Sequence, residues 1–99
     1  MRTITFLLEA EEEMNSSAQY YNQLTPGLGL DFLEEIEKSL QLIEKSPERW
    51  PYYEHNIHKF NTRRFPFSLF YVFEKETDKI IIIAVAHQKR KPGYWKQRI

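Results

Sequence analysis

The sequence predicts an α+β fold, with an N-terminal strand and an antiparallel two-helix hairpin packed on a small, mostly antiparallel four-stranded sheet. Three observations predict it. Apolar residues recur at steps of three and four from Met14 to Ile43, with one break at Thr25-Pro26-Gly27. Phe67, Leu69, Tyr71 and Phe73 alternate with residues of the opposite face, which is the strand period. Ile80 to Ala86 is an unbroken apolar run of strand length, as a strand covered on both faces requires. With 99 residues the chain suffices for one hydrophobic core, so residues 1–99 are expected to form a single domain.

Each element has its own signal. Thr3 to Leu8 is β-branched and apolar, a short first strand. From Ala10 the period becomes helical, with Met14, Ala18, Tyr21 and Leu24 on one face. Glu9, Glu11, Glu12 and Glu13 crowd the start of this helix, where carboxylates complement the dipole. Adjacent helix positions point in different directions, so this run reads as a solvated face rather than paired catalytic acids. A second helix is expected from Leu28 to Lys45, with a stripe of Phe32, Ile36, Leu40 and Ile43. Ser46-Pro47 closes it, because a residue before proline avoids the helical region. Glu48 to Asn56 reads as a loop in which Trp50, Tyr52 and Tyr53 pack locally. His58 to Arg64, Phe67 to Glu74 and Lys79 to Ala86 supply the remaining strands, the last two joined by a turn at Lys75-Glu76-Thr77-Asp78.

Composition excludes several classes. No apolar run approaches the roughly 18 residues of a membrane span, so no membrane partner is expected. Zero cysteines remove disulfide and thiol chemistry and suit a cytoplasmic protein. His55 and His58 lie three apart without a third ligand of metal type, so no metal is expected. Gly27, Gly29 and Gly93 form no phosphate loop, and no cofactor is expected. The formal net charge of zero conceals a division: residues 1–54 hold 4 basic against 11 acidic side chains, and residues 55–99 hold 10 against 3. A basic working surface from the C-terminal half is the natural reading.

That surface centres on the segment after the last strand. From His87 to Arg98 the chain is cationic and aromatic and has no acid. Arg63, Arg64, His87, Lys89, Arg90, Tyr94 and Trp95 are the candidate target-binding residues, placed near one sheet end by the expected pairing. Metal-free RNA cleavage would need a base, an acid and cations for the phosphate. His87 or Tyr94 could exchange the protons while Arg63, Arg64 and Arg90 held the phosphate. Each also has a structural use: His87 could cap the strand end, and Tyr94 and Trp95 could cover the sheet edge.

Several of these segments together resemble a known family. In the helical half they are Tyr20-Tyr21, Pro26-Gly27-Leu28-Gly29, Phe32, Ile36-Glu37…Leu40 and Pro47…Trp50-Pro51. In the sheet half they are Arg63-Arg64-Phe65-Pro66-Phe67…Phe70-Tyr71 and Ala84-Val85-Ala86-His87…Arg90-Lys91-Pro92-Gly93-Tyr94-Trp95. The chain is thereby similar to the RelE/ParE superfamily of bacterial type II toxins. The resemblance implies a cognate antitoxin and one of two targets: the ribosome, where RelE-like members cut mRNA, or DNA gyrase, which ParE-like members poison. Ribonuclease members carry lysines on the strand matching His58 to Arg64 and an arginine early in the next. Only Lys59 matches the lysines, and Ser68 stands at the arginine position. The Phe65-Pro66-Phe67 and Pro92-Gly93-Tyr94-Trp95 patterns lean to the ParE side. The resemblance therefore implies a gyrase-directed toxin, with an mRNA endoribonuclease or a non-toxic antitoxin-binding relic as the alternatives.

Overall fold

Packing of the helical stripes onto one face of a sheet organises the molecule, and the computed structural model describes residues 2–99 of it. The elements are β1 (Thr3–Phe6), α1 (Leu8–Leu24), α2 (Leu28–Lys45), β2 (Tyr52–Glu54), β3 (Ile57–Asn61), β4 (Phe67–Glu74) and β5 (Lys79–His87), followed by a 3-10 turn at Lys96–Arg98. The second helix has the boundaries that the stripe and Ser46-Pro47 predict. Phe32, Ile36 and Ile43 are buried on it, and the Phe32 ring meets those of Tyr21, Phe65 and Phe67 at 5.4, 5.3 and 4.8 Å. Offset and edge-on aromatic pairs of this kind add to the apolar area they bury.

The sheet has five strands in the order β1-β5-β4-β3-β2, with β1 parallel to β5 and every other pair antiparallel. The fifth strand lies within the segment expected to be a loop. Tyr52–Glu54 joins the edge because His58, the residue it faces in register, is buried between the rings of Tyr52 and Tyr71 at 4.2 and 4.8 Å. The His58 ring also hydrogen-bonds the Trp50 carbonyl through Nδ1 at 2.7 Å. The third strand ends at Asn61, short of the expected Arg64, because the Thr62 hydroxyl donates to the Phe65 carbonyl and turns the chain. A register shift opposite Phe70 and Tyr71 leaves Ile83 as the extra residue of β5. Ile83 and Ala84 consequently both join the second apolar cluster, on the face away from the helices. That bulge explains how one strand can be apolar on both faces.

The first helix departs further from expectation. It starts at Leu8, Ala10 and Ala18 are its buried residues, and Leu24 is exposed near the hairpin turn. Glu13 is the main correction, because it does not belong to a solvated face. Its carboxylate accepts hydrogen bonds from both terminal nitrogens of Arg98 at 2.9 Å, from the Val85 amide at 3.1 Å and from the Tyr94 hydroxyl. The side chains of Glu13 and Arg98 are only 14% and 16% exposed. One carboxylate thus ties α1 to β5 and to the C-terminal segment, 85 residues away along the chain.

Two outcomes follow for stability. A Cβ at Gly29 would stand 2.4 Å from the Ala18 carbonyl oxygen and 3.0 Å from the Asn22 Cβ, so the helices touch through this glycine. Gly29→Ala should lower unfolding stability by about 1–3 kcal/mol through overpacking, measured by urea titration. At Glu13, burial favours the neutral acid, but bonds from Arg98, Tyr94 and the Val85 amide outweigh it and hold the carboxyl below its ordinary 4.5. With its folded pKa depressed, Glu13 stabilises fully above the unfolded value, and the contribution is lost as pH falls through the folded one. Glu13→Gln should cost about 1.5–3 kcal/mol at neutral pH, and the gap from wild type should narrow as pH falls below the ordinary 4.5 and close only below the depressed folded value. A gap that stays constant down to pH 3 would show that the charge is not what matters.

Candidate functional site

On the face away from the helices, β3, β4 and β5 and the segment after β5 enclose a recess of about 200 Å³. Alternation places Lys59, Ser68, Phe70 and Ala86 on this face, while Phe60, Leu69 and Val85 point to the helices. Beyond His87 the chain turns back over the sheet through Gly93, whose φ of +78° favours a residue without a Cβ. Trp95 then lies on Phe70 and Tyr53, with ring centroids 4.5 and 5.6 Å apart. The rim carries the cations Lys59, Arg90 and Lys91.

The predicted residues divide between this recess and other positions. His87, Arg90, Tyr94 and Trp95 line it together. Trp95 is 1% exposed, so its side chain forms the floor and offers no surface anchor. His87 ends β5, and its Nδ1 accepts the Lys89 amide at 3.0 Å, a strand-end cap that leaves Nε2 as the seat of the ring proton. Lys89 is exposed in that turn. Arg63 and Arg64 are not brought beside these groups. Their amides both donate to the Glu35 carboxylate, at 2.6 and 2.7 Å, and the Arg64 guanidinium reaches Asp31 at 3.3 Å. They therefore sit against α2, on the helix side of the sheet.

Arg90 is the cation best placed to meet a ligand. Its guanidinium carbon stands 3.6 Å from the Tyr94 ring centroid and one nitrogen lies 3.6 Å from Glu13, while 55% of the side chain is exposed. Stacking on a ring and a longer ion pair hold the group flat and leave donors open to solvent. Tyr94 is differently occupied. Burial, and then its bond to the Glu13 carboxylate, push its phenol well above the ordinary range. Arg98 is raised by its bond to Glu13 despite the opposing effect of burial. Ser68 is 2% exposed and its hydroxyl is spent on Asn61 Oδ1 at 2.6 Å.

Sequence reasoning missed Glu13 and Arg98 as the support of the site, and Tyr53 and Lys91 as parts of its wall. A signal for Glu13 was present. Ala10, Glu13, Met14, Ser17, Ala18 and Tyr21 follow the three- and four-residue spacing, so a carboxylate interrupts an inward stripe. Arg98 gave no comparable sign, because its partner is fixed only by the reversal at Gly93.

Residues 4–92 match the family model described as the ParE toxin of the type II toxin–antitoxin system parDE. No match to a curated protein sequence was found. A chain of the chromosomal ParDE system from P. aeruginosa superposes with a TM-score of 0.75 at 15% identity, covering 88% of this chain and 96% of that one. The E. coli RelBE toxin–antitoxin complex gives 0.69 at 19% identity, with 91% and 100% covered. The isolated E. coli RelE toxin gives 0.68 at 19% identity, with 99% and 96% covered. These likenesses show a shared fold of two helices on a mixed, mostly antiparallel sheet, and the family match across residues 4–92 shows that the chain belongs to the ParE toxin family of type II toxin–antitoxin systems.

Proposed function

We propose that this toxin-family chain acts without catalysis, its basic rim gripping DNA gyrase and a cognate antitoxin neutralising it. The observation that carries this reading is the commitment of the groups that RNA cleavage would require. Tyr94 is held by Glu13 with its phenol pushed above the ordinary range, and Ser68 is buried against Asn61. Arg63 and Arg64 are turned toward α2. A phosphate in transition would therefore find Lys59, Arg90 and Lys91, but the Tyr94 phenol beside Arg90 is already committed to Glu13 and is not available as the acid.

For the antitoxin, the groove beside α2 offers a suitable seat. It has a volume of about 450 Å³ and is lined by Leu42 and Phe60 together with Lys38, Lys45 and Arg63. An acidic amphipathic segment laid there would combine apolar burial with charge complementarity. A second reading, an mRNA endoribonuclease, is favoured by one arrangement: His87 and Lys59 line the same recess as Arg90.

Expression in cells lacking antitoxin separates the readings. Gyrase-trapped DNA breaks with intact mRNA are expected, and cuts at ribosomal A sites with unbroken DNA would overturn the proposal. Arg90→Ala should reduce toxicity at least about tenfold, since an exposed charge-assisted contact is lost. The same change should leave unfolding stability within about 1 kcal/mol of wild type. Undiminished toxicity would remove Arg90 from the binding surface.

A further inference from the structure

The surface around the C-terminal segment changes sign at His87. On the open face, the recess presents the cations Lys59, Arg90 and Lys91 and no carboxylate. Around the sheet end, between α1 and β5, a second hollow of about 470 Å³ presents Glu9, Glu12 and Glu13 against Arg90 and Arg98. His87 and Arg90 line both hollows, so the two form one surface folded over the end of β5. Glu13 is consumed by Arg98 and Tyr94. Glu9 and Glu12 are exposed on α1, and among the described residues neither has a hydrogen-bond or ion-pair partner.

Such a surface discriminates between classes of partner. A phosphate backbone attracted by Lys59, Arg90 and Lys91 would, on passing His87, run against the carboxylates of Glu9 and Glu12, which no hydrogen bond or ion pair among the described residues holds, although Arg98 feels the charge of Glu9. A polyanion carries the same sign along its whole length, so the charges it placed beside Glu9 and Glu12 would be repelled. A protein segment has no such restriction, because it can place an acid on one side and a base on the other. The neutral net charge of the chain agrees, since it gives no long-range attraction to nucleic acid.

We infer that the surface folded over His87 docks a protein segment of mixed charge, with an acidic residue at Lys59, Arg90 and Lys91 and a basic residue at Glu9 and Glu12. This deepens the gyrase reading and rests on it for the identity of the partner: the contact is with the enzyme's polypeptide, not with its bound DNA. Glu12 thereby becomes a specificity-determining residue, although no contact within the fold needs it.

Charge reversal gives opposite signs for the two classes of partner. Glu12→Lys should weaken binding to purified gyrase holoenzyme at least about fivefold, as expected for a reversed charge at a docking rim, and should reduce toxicity in cells lacking antitoxin. The same variant should strengthen binding of a mixed-sequence RNA 20-mer, used as a polyanion probe. Glu11→Lys makes the same change in net charge on an exposed helix position outside the hollow, and should keep wild-type toxicity and gyrase affinity. Thermal midpoints of both variants should match wild type. Unchanged or increased toxicity of Glu12→Lys, or equal losses in both variants, would overturn the inference. A toxic wild type that does not bind gyrase, with Glu12→Lys still impaired, would remove gyrase and keep the protein-docking surface. A non-toxic wild type would remove both.

Discussion

The hydrogen bonding of Glu13 is the interaction on which the C-terminal half of the surface depends. A carboxylate with two guanidinium bonds, one amide bond and one phenol bond has nearly all of its accepting capacity filled. The tail needs such an anchor because residues 88–99 contribute only a 3-10 turn of regular structure to hold it. Its fully buried side chain is Trp95, which shields Phe70 and the bulged part of β5. Burial of the indole and the Glu13 bonds cooperate: the first fixes how the tail lies on the sheet, and the second fixes where it ends. Arg90 inherits its position from both, through the ring of Tyr94.

Charge segregation in the sequence acquires a different meaning in three dimensions. The acidic N-terminal half and the basic C-terminal half suggest one working surface of single sign. In the fold they meet along α1 and the end of β5, where the most buried of the α1 acids is neutralised and, among the described residues, Glu9 and Glu12 form no ion pair. The rim is consequently bipolar rather than cationic throughout. That arrangement explains how a toxin-family chain with no net charge can still carry a defined electrostatic surface, and it favours a protein partner over a nucleic acid.

The fold was legible where one period dominated. Phe32, Ile36 and Ile43 marked α2 to its last residue, and the alternation through Phe67, Leu69 and Tyr71 marked β4. Tyr52–Glu54 was not legible, because its pairing depends on His58 stacking between two tyrosines, a contact set by β3 and β4 together. The site was legible in part. His87, Arg90 and Tyr94 do converge, since all three follow closely on the strand end that positions them. Arg63 and Arg64 diverge because the turn at Thr62 hands their amides to Glu35, a tertiary bond with no sequence signature. Trp95 carried the composition of a surface anchor but fills the floor, since a buried aromatic is what a short tail needs to stay in place.

The central claim is that this rim binds a protein target and performs no cleavage. The most direct measurement adds the purified chain to two parallel reactions, DNA supercoiling by gyrase and mRNA translated on programmed ribosomes. The account predicts inhibited supercoiling with accumulation of cleaved DNA, and full-length mRNA at the same toxin concentration. Codon-specific mRNA cleavage with undisturbed supercoiling would contradict it.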